Sequence, residues 1–229
     1  MPIDFDPFFK QYEALAKMAD EVFERVKNEY PEEVTCKVKC ADCCHALFDL
    51  TLVEAMYINH HFNRLYEGQP KEALLDKANK ADRMVYKLKR DAYKAKEAGK
   101  SENDIVAALA EERIRCPLLN EQDQCDMYDH RPITCRLYGI PTAIGGAGHT
   151  CGFSGFEQGK PYPTVNLDRI HARLYELSEA LQKAVKSRHA TLATLLVPLS
   201  MALLTEYDET YLGVREKQDA EEQQGAQDE

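Results

Sequence analysis

The sequence predicts a mainly α fold, a helical bundle with an irregular, loop-rich, cysteine-bearing subregion packed against it. Apolar residues recur at helical spacing along much of the 229-residue chain, and no segment of five residues or more alternates at period two. The helical pattern disappears between Cys116 and Pro163. That stretch holds four of the eight cysteines, five of the ten prolines and seven of the eleven glycines, which predicts loops there.

The first predicted helix has an apolar face that repeats every seven residues. Its central row is Phe5, Tyr12, Ala19 and Val26, with further apolar residues on adjacent rows. Residues at this spacing share one face of a helix, so we expect this face to be buried against other elements. Pro31 ends the helix just before the first cysteines.

Two more helices are predicted after the first cysteine run. Thr51 and Glu54 form a capping-box pattern that opens a helix through about Tyr66. Gly68 and Pro70 then break the chain. A long helix follows, with an apolar stripe at three- and four-residue spacing: Leu74, Leu75, Ala78, Ala81, Val85, Leu88 and Ala92.

Three further elements complete the predicted bundle. Ser101 is predicted to cap a helix whose inward residues are Ile105, Ala108 and Leu109. An amphipathic helix is predicted from Leu167 to Ala184, after the loop-rich stretch. The apolar run Ala190–Leu204 is too short to span a bilayer and contains Pro198, so we interpret it as a buried core helix.

Composition limits the classes of partner. The net charge of −10 argues against nucleic acid, because binding phosphates needs a basic surface. No run reaches the roughly 20 apolar residues of a membrane span, so we expect no membrane partner. Between Lys77 and Lys100 there are nine Lys or Arg against three Asp or Glu. This basic helix is interpreted as a solvated face or, alternatively, as the contact surface for an unknown protein partner.

The eight cysteines carry most of the functional information. They are Cys36, Cys40, Cys43, Cys44, Cys116, Cys125, Cys135 and Cys151. The N-terminus has no secretory signal pattern, so we expect a cytoplasmic protein, in a compartment where disulfides are rare. Adjacent Cys43 and Cys44 are also poorly placed to pair with each other. The pattern favours thiolates around metal, with disulfides, redox thiols or inert buried thiols as alternatives.

The type of metal is less sharply indicated. Thiolates suit zinc, copper(I) or iron–sulfur clusters. Cys36, Cys40 and Cys43 form a C-x3-C-x2-C triple, and three close thiolates with one remote cysteine are a familiar iron–sulfur arrangement. We therefore favour an iron–sulfur cluster, of the 4Fe–4S type, with zinc as the alternative. Eight thiols suffice for one site or two, and we expect both cysteine stretches to supply ligands. One of His45, His130 and His149 could complete a site.

The two cysteine stretches together resemble the YkgJ-type cysteine-cluster family (CxxCxxCC), a family of zinc- or iron-chelating domains. The first stretch, CKVKCADCC, is followed by the LT..E helix start of the family in FDLTLVEAMYI. The later motifs are Cys116-Pro117, Cys125-Asp-Met-Tyr128, Arg131-Pro132-Ile-Thr-Cys135-Arg136 and Cys151. One departure is the three residues, rather than two, between Cys36 and Cys40. The resemblance implies metal binding through the eight cysteines and does not imply a reaction.

These observations predict one helical metal-binding domain over residues 1–214, with a cysteine-cluster region at 36–151 and a helical insertion at 70–112. Residues 215–229 have no apolar stripe and are predicted to be a disordered acidic tail. Three functions stay open: a carrier, electron-transfer or interaction module holding an iron–sulfur cluster or zinc, an iron–sulfur enzyme, or a zinc-stapled interaction domain. The enzyme hypothesis, group transfer to a protein side chain, depends on a distant similarity to flagellin lysine N-methylases, and no catalytic residue is indicated.

Overall fold

The computed structural model describes residues 3–215 and is mainly α, as predicted. The helices are α1 (Asp6–Glu29), α2 (Leu52–Leu65), α3 (Gly68–Glu97), α4 (Glu102–Glu111), α5 (Ile133–Leu137), α6 (Leu167–Ala184), α7 (Leu199–Leu204) and α8 (Glu209–Leu212). Short 3-10 turns lie at Asp42–His45, Tyr128–His130 and Leu192–Thr194. The strands are β1 (Asp49–Thr51), β2 (Thr142–Ile144), β3 (Ala147–His149), β4 (Val165–Asn166) and β5 (Leu196–Pro198).

The strands form two small sheets that the sequence did not predict. In one, β1 pairs antiparallel with β5, so that Leu50 lies opposite Val197. In the other, β2 pairs antiparallel with β3 and parallel with β4. Strands of two or three residues are too short to show the period-two alternation by which strands are recognised. They fasten loops to the helices rather than form a layer of the core.

The central helix is α2, which is buried on most of its surface and contacts α1, α6 and α7. The predicted capping box is confirmed: Glu54 accepts hydrogen bonds from the backbone N–H and the hydroxyl of Thr51 at 3.3 and 3.2 Å. Asn59 donates from its amide to the carbonyls of Ala202 and Thr205, both at 2.9 Å. These bonds fix α7 on α2 with the buried polar groups satisfied.

The amphipathic patterns of α1 and α6 are confirmed. On α1, Phe9, Tyr12 and Val26 belong to the hydrophobic core, and the helix ends at Glu29, two residues before Pro31. On α6, the buried residues are Leu167, Leu174, Leu177, Ser178 and Leu181. The core they form with α2 is continuous and supplies the rigid frame on which the cysteine-bearing loops lie.

Three local expectations were wrong in detail. Pro70 lies in the first turn of α3 and does not interrupt that helix. The backbone N–H groups of a first turn have no acceptor within the helix, so a proline, which lacks this group, is tolerated there. Ala108 on α4 is exposed, since that helix packs mainly against α3 and leaves Ile105 and Leu109 half-buried. The run Ala190–Leu204 is not a helix throughout. It forms a 3-10 turn, then β5, then α7, and Pro198 ends the strand at the N-cap of α7.

No helix within residues 3–215 combines the length and apolar character needed to cross a membrane. The predicted acidic tail, residues 215–229, lies outside the described residues apart from Arg215.

Candidate metal centre

The early cysteines lie on a tight loop between α1 and β1. Cys36 and Cys40 are joined by a turn in which the backbone N–H of Cys40 bonds the carbonyl of Lys37 at 2.9 Å. Lys39 has a left-handed backbone with φ of 71°, which reverses the chain between the two thiols. Cys43 and Cys44 follow as neighbouring residues of the 3-10 turn Asp42–His45.

The late cysteines come from three separate pieces of backbone. Cys116 and Cys125 are the ends of a hairpin-like loop, in which Cys125 bridges Leu119. Cys135 lies on α5, and Cys151 follows the β2–β3 pair. Cys135 is presented by this short helix and the other late cysteines by turns or loops, as expected where glycine and proline interrupt regular structure.

Backbone hydrogen bonds join the two cysteine stretches. The N–H of Cys116 bonds the carbonyl of Cys44 at 2.7 Å, and the N–H of Ile114 bonds the carbonyl of His45 at 3.1 Å. On the other side, the hydroxyl of Thr35 donates to the carbonyl of Phe153 at 2.8 Å. The loop around Cys151 therefore lies beside Cys36, while the loop around Cys116 lies beside Cys44.

All eight cysteines line one cavity of about 820 Å³. They are Cys36, Cys40, Cys43, Cys44, Cys116, Cys125, Cys135 and Cys151, and none forms a disulfide. Both sequence stretches thus reach a shared space, although they are separated by some seventy residues of chain that includes α2, α3 and α4.

The thiols fall into two groups according to which of them have the larger effects on one another's pKa, and we call these groups the inner and outer thiols. The inner thiols are Cys43, Cys44, Cys116, Cys125 and Cys135. Cys135 and Cys44 donate hydrogen bonds to the sulfur of Cys43, and these bonds lower the pKa of the Cys43 thiol well below its usual range. The same hydrogen bond, followed by burial, raises the pKa of Cys135. Burial raises the pKa of Cys116 to about 12.

The outer thiols are Cys36, Cys40 and Cys151. Burial, then the neighbouring Cys40 and Cys151, raises the pKa of Cys36 to about 11. Asp42 accepts from the thiol of Cys151 at 3.3 Å and from the hydroxyl of Tyr138 at 2.9 Å. This carboxylate also pairs with Arg113, and hydrogen bonds from Tyr138, Cys151 and Arg113 keep its pKa below the usual range despite desolvation, which opposes the shift.

A glycine allows the close approach of the α5 loop to the outer thiols. Gly139 has φ of 105°, and a Cβ at this position would lie 2.3 Å from the sulfur of Cys36. The thiol of Cys36 also lies 3.7 Å from the carbonyl of Tyr138. Any side chain at residue 139 would displace Cys36 from the cavity wall.

Two arginines that flank Cys135 bind one carboxylate. Arg131 and Arg136 both pair with Asp20 on α1, the former at 3.1 Å. Arg136 is 7% exposed and also donates to the carbonyls of Asp129 and Arg131 at 2.7 and 2.9 Å. Arg131 is the arginine whose positive charge helps to lower the pKa of Cys43. Arg136 also lines the cavity, and its ion pair with Asp20 holds the loop on α1.

Glu54 connects the frame to the inner thiols. This buried carboxylate accepts from the backbone N–H of Ile133 at 3.2 Å, in addition to its capping bonds on Thr51. Ile133 is the first residue of α5, the helix that carries Cys135. The capping-box pattern predicted the bond within α2, whereas nothing in the pattern indicated the second bond, 79 residues away along the chain.

The histidines divide between the cavity and other surfaces. His130 lines the cavity, and its Nδ1 lies 3.2 Å from the hydroxyl of Tyr57. Its ring stacks on His61 with centroids 3.8 Å apart. His45 and His149 are not among the residues that line the cavity. Of the three histidines proposed to complete a site, only His130 is therefore placed to approach the thiols.

The donor set fits a soft metal, since its atoms are thiol sulfurs that line one cavity. Within residues 3–215, however, no three His, Cys, Asp or Glu side chains are gathered closely enough to hold a single metal ion. The thiols surround a volume instead of converging on a point. A bound metal must therefore occupy that volume as a larger unit or draw the thiols inward.

Comparison with known proteins agrees with this donor set. Residues 35–152, just over half of the chain, match the CxxCxxCC family, described as a "putative zinc- or iron-chelating domain". The chain belongs to this family, whose description supports metal binding through the cysteines. The comparisons found no matching curated protein and no matching solved structure. The resemblance to flagellin lysine N-methylases thus stays a prediction.

Proposed function

We propose that this member of the CxxCxxCC family holds an iron–sulfur cluster on thiolates of both cysteine stretches. The observation that carries the proposal is the cavity of about 820 Å³, which all eight thiols line. The inner thiols supply the ligands that we favour, because Cys135 and Cys44 have the largest effects on the pKa of Cys43. We assign the outer thiols as additional or spare ligands.

The dispersed arrangement of the thiols favours a cluster over a single ion. Zinc requires its sulfurs at about 2.3 Å from one centre, which packs four thiolates closely together. No such gathering exists among the described residues. A cluster has several metal atoms, each accepting one external thiolate, and so accommodates ligands spread around a larger volume. We favour the 4Fe–4S type for this reason.

The physical role that follows is electron transfer or delivery of the metal centre. Iron–sulfur clusters exchange single electrons, at potentials set by charge, hydrogen bonds and solvent exposure around the sulfurs. In this chain the charge of Arg131 and the backbone N–H groups near Cys116 and Cys125 act on those sulfurs. A cytoplasmic location is part of the proposal, because a reducing compartment keeps eight thiols available for metal.

Anaerobic purification without added metal tests the assignment. We expect brown protein with iron and acid-labile sulfide in equal amounts. The double variant Cys116→Ser/Cys125→Ser should lose the colour and most of the iron. Met127→Leu is the matched control, because it removes a buried sulfur of the same cavity wall without removing a thiolate. Colourless protein that contains stoichiometric zinc would overturn the cluster and support a zinc-stapled interaction domain.

A second candidate, an iron–sulfur enzyme, is favoured by the size of the cavity. Its volume lies within the range of about 300–1,000 Å³ that is usual for sites of small organic ligands. Such an enzyme would carry out group transfer to a protein side chain, using S-adenosylmethionine beside the cluster. Calorimetric titration of the brown protein with S-adenosylmethionine decides between the candidates. Saturable binding that is lost in the Cys116→Ser/Cys125→Ser variant would support the enzyme. The absence of any heat of binding would support the electron-transfer or carrier function.

A further inference from the structure

The outward face of α3 carries a row of cations that we call the basic stripe. It consists of Lys80, Arg83, Lys87, Arg90 and Lys94. Their three- and four-residue spacing places them on one side of the helix. The buried residues Ala78, Ala81 and Val85 lie on the opposite side, so the basic stripe faces away from the core.

Pairing distinguishes the basic stripe from the other cations of α3. Lys89, on the inner side, pairs with Asp49 at 2.7 Å, and Lys96 pairs with Glu102 at 2.7 Å. In the basic stripe, Arg90 reaches only its neighbour Asp91, at 3.6 Å. The other four members of the stripe have no ion pair among residues 3–215. Their charges are therefore available to an external partner.

Two tyrosines flank the basic stripe. Tyr86 and Tyr93 are 64% and 62% exposed and lie seven residues apart, so both rings lie along one edge of the stripe. The hydroxyl of Tyr93 donates to Glu97 at 2.9 Å. Exposed aromatic rings beside cations are characteristic of the anchoring residues in protein interfaces.

The basic stripe lies on a part of the molecule that is accessible from several directions. No residue of α3 after Val85 is buried, and no residue of α4 is buried. The stripe spans fifteen residues, and the fourteen steps between its ends correspond to about 21 Å at 1.5 Å per residue. This length matches a partner segment of several helical turns rather than a single small anion.

We propose that the basic stripe binds an acidic segment of a partner protein. Its charge is opposite to that of the chain as a whole, which is −10. A short acidic segment can contact the stripe alone, whereas an extended polyphosphate would also approach the acidic remainder of the surface and be repelled. The tyrosine rings add apolar contacts that a peptide can use. The inference does not depend on the metal centre, since none of these residues lines the cavity.

Fluorescence anisotropy with two labelled probes tests the proposal. One probe is a 15-residue peptide with glutamate at every third or fourth position and alanine or leucine elsewhere. The other is a single-stranded oligonucleotide of the same net charge. We expect the peptide to bind more tightly than the oligonucleotide. The triple variant Arg83→Glu/Lys87→Glu/Lys94→Glu should weaken peptide binding by at least tenfold.

Matched variants separate the basic stripe from general charge effects. Lys10→Glu/Lys17→Glu/Arg25→Glu makes the same change in net charge on exposed residues of α1, and should alter peptide affinity less than twofold. Tyr86→Ala/Tyr93→Ala leaves the charge unchanged and should weaken binding about threefold.

Folding is checked separately, because charge reversal could perturb the helix. The neutral variant Arg83→Gln/Lys87→Gln/Lys94→Gln retains good helix formers and should also weaken binding. The proposal is overturned if both charge-reversed triples weaken the peptide equally, if the neutral triple binds normally, or if the oligonucleotide binds at least as tightly as the peptide. Metal content is expected to stay unchanged in every variant, so these outcomes are independent of the proposed cluster.

Discussion

The helical frame and the cavity loops of this protein are stabilised by different interactions. The frame, formed by α1, α2, α6 and α7, buries continuous apolar faces. The cavity loops, residues 36–48 and 113–151, contain little regular structure and hold their thiols through turns, backbone bonds and one buried arginine–carboxylate set. Burial of apolar area can order the frame without a ligand, whereas we expect bound metal to order the thiol-bearing turns.

The two regions are not fully separate. The cavity loops contribute Leu118, Met127, Ile133, Leu137 and Ile140 to the hydrophobic core. The burial of these five residues is greater than expected for a stretch that the sequence predicts only as loops. It implies that the backbone of the cavity loops stays anchored at these residues while the thiol-bearing turns between them depend on metal.

Removal of the metal is expected to produce the largest difference in behaviour between the helical frame and the cavity loops. Thiolate–metal bonding contributes about 10 kcal/mol or more in small zinc peptides, and here it acts on the cavity loops. We expect chelation to expose amides near Cys40, Cys125 and Cys151 to rapid hydrogen exchange. The amides of α2 and α6 should remain protected, and most helical circular dichroism should survive. Loss of all helical signal would show that the frame also depends on metal.

Truncation of a core side chain tests whether the cavity loops depend on the frame. Phe62 on α2 is fully buried, so Phe62→Ala should lower the free energy of unfolding by about 4 kcal/mol. Because the cavity loops rest on the frame, metal should then be lost in the same thermal transition. The matched control is Phe153→Ala, since Phe153 is 68% exposed and its loss should cost less than about 0.5 kcal/mol. Metal release well below the unfolding temperature of Phe62→Ala would contradict this dependence.

Substitution of Glu54 tests the connection between the helical frame and the cavity loops. Glu54→Ala leaves the N–H of Ile133 and the cap of α2 without an acceptor, which should cost about 3 kcal/mol. It should also lower metal retention, because Ile133 begins the helix that carries Cys135. Glu54→Gln keeps one oxygen acceptor and should fall between Glu54→Ala and the natural protein in both measurements. Normal metal retention in Glu54→Ala would mean that Cys135 is positioned without this bond.

The smallest predicted effect is a pH dependence of the frame next to the cavity. Burial, together with His130, His60 and Arg64, lowers the pKa of His61 to about 4 from an ordinary value of about 6.5. The unfolded chain therefore binds more protons between these values, so stability should fall as the pH is lowered from 6.5 to 4.

Urea titrations at several pH values measure this slope. His61→Phe keeps a stacked ring without a titrating group, so it should flatten the slope between pH 6.5 and pH 4. The control His149→Phe, on the exposed strand β3, should leave the slope unchanged. An unchanged slope in His61→Phe would assign the pH dependence to other groups.

The frame could be predicted because its signals are local. The periodicity of α1 and α6, the capping box at Thr51 and the cap at Ser101 each involve residues within a few turns of one another. The segment Ala190–Leu204 was misassigned for the same reason. Its apolar residues suit a helix locally, but pairing of β5 with the distant β1 selects a strand there.

The sequence by itself determined the mainly α class, the main helices, the family and the eight candidate ligands, because periodicity, capping and cysteine spacing are properties of neighbouring residues. Only the tertiary structure decided how the thiols divide into inner and outer groups, that Asp42 contacts Cys151, and that Arg136 pairs with Asp20. Those contacts join residues roughly a hundred positions apart. They depend on how the loops pack against the completed frame, which no local pattern records.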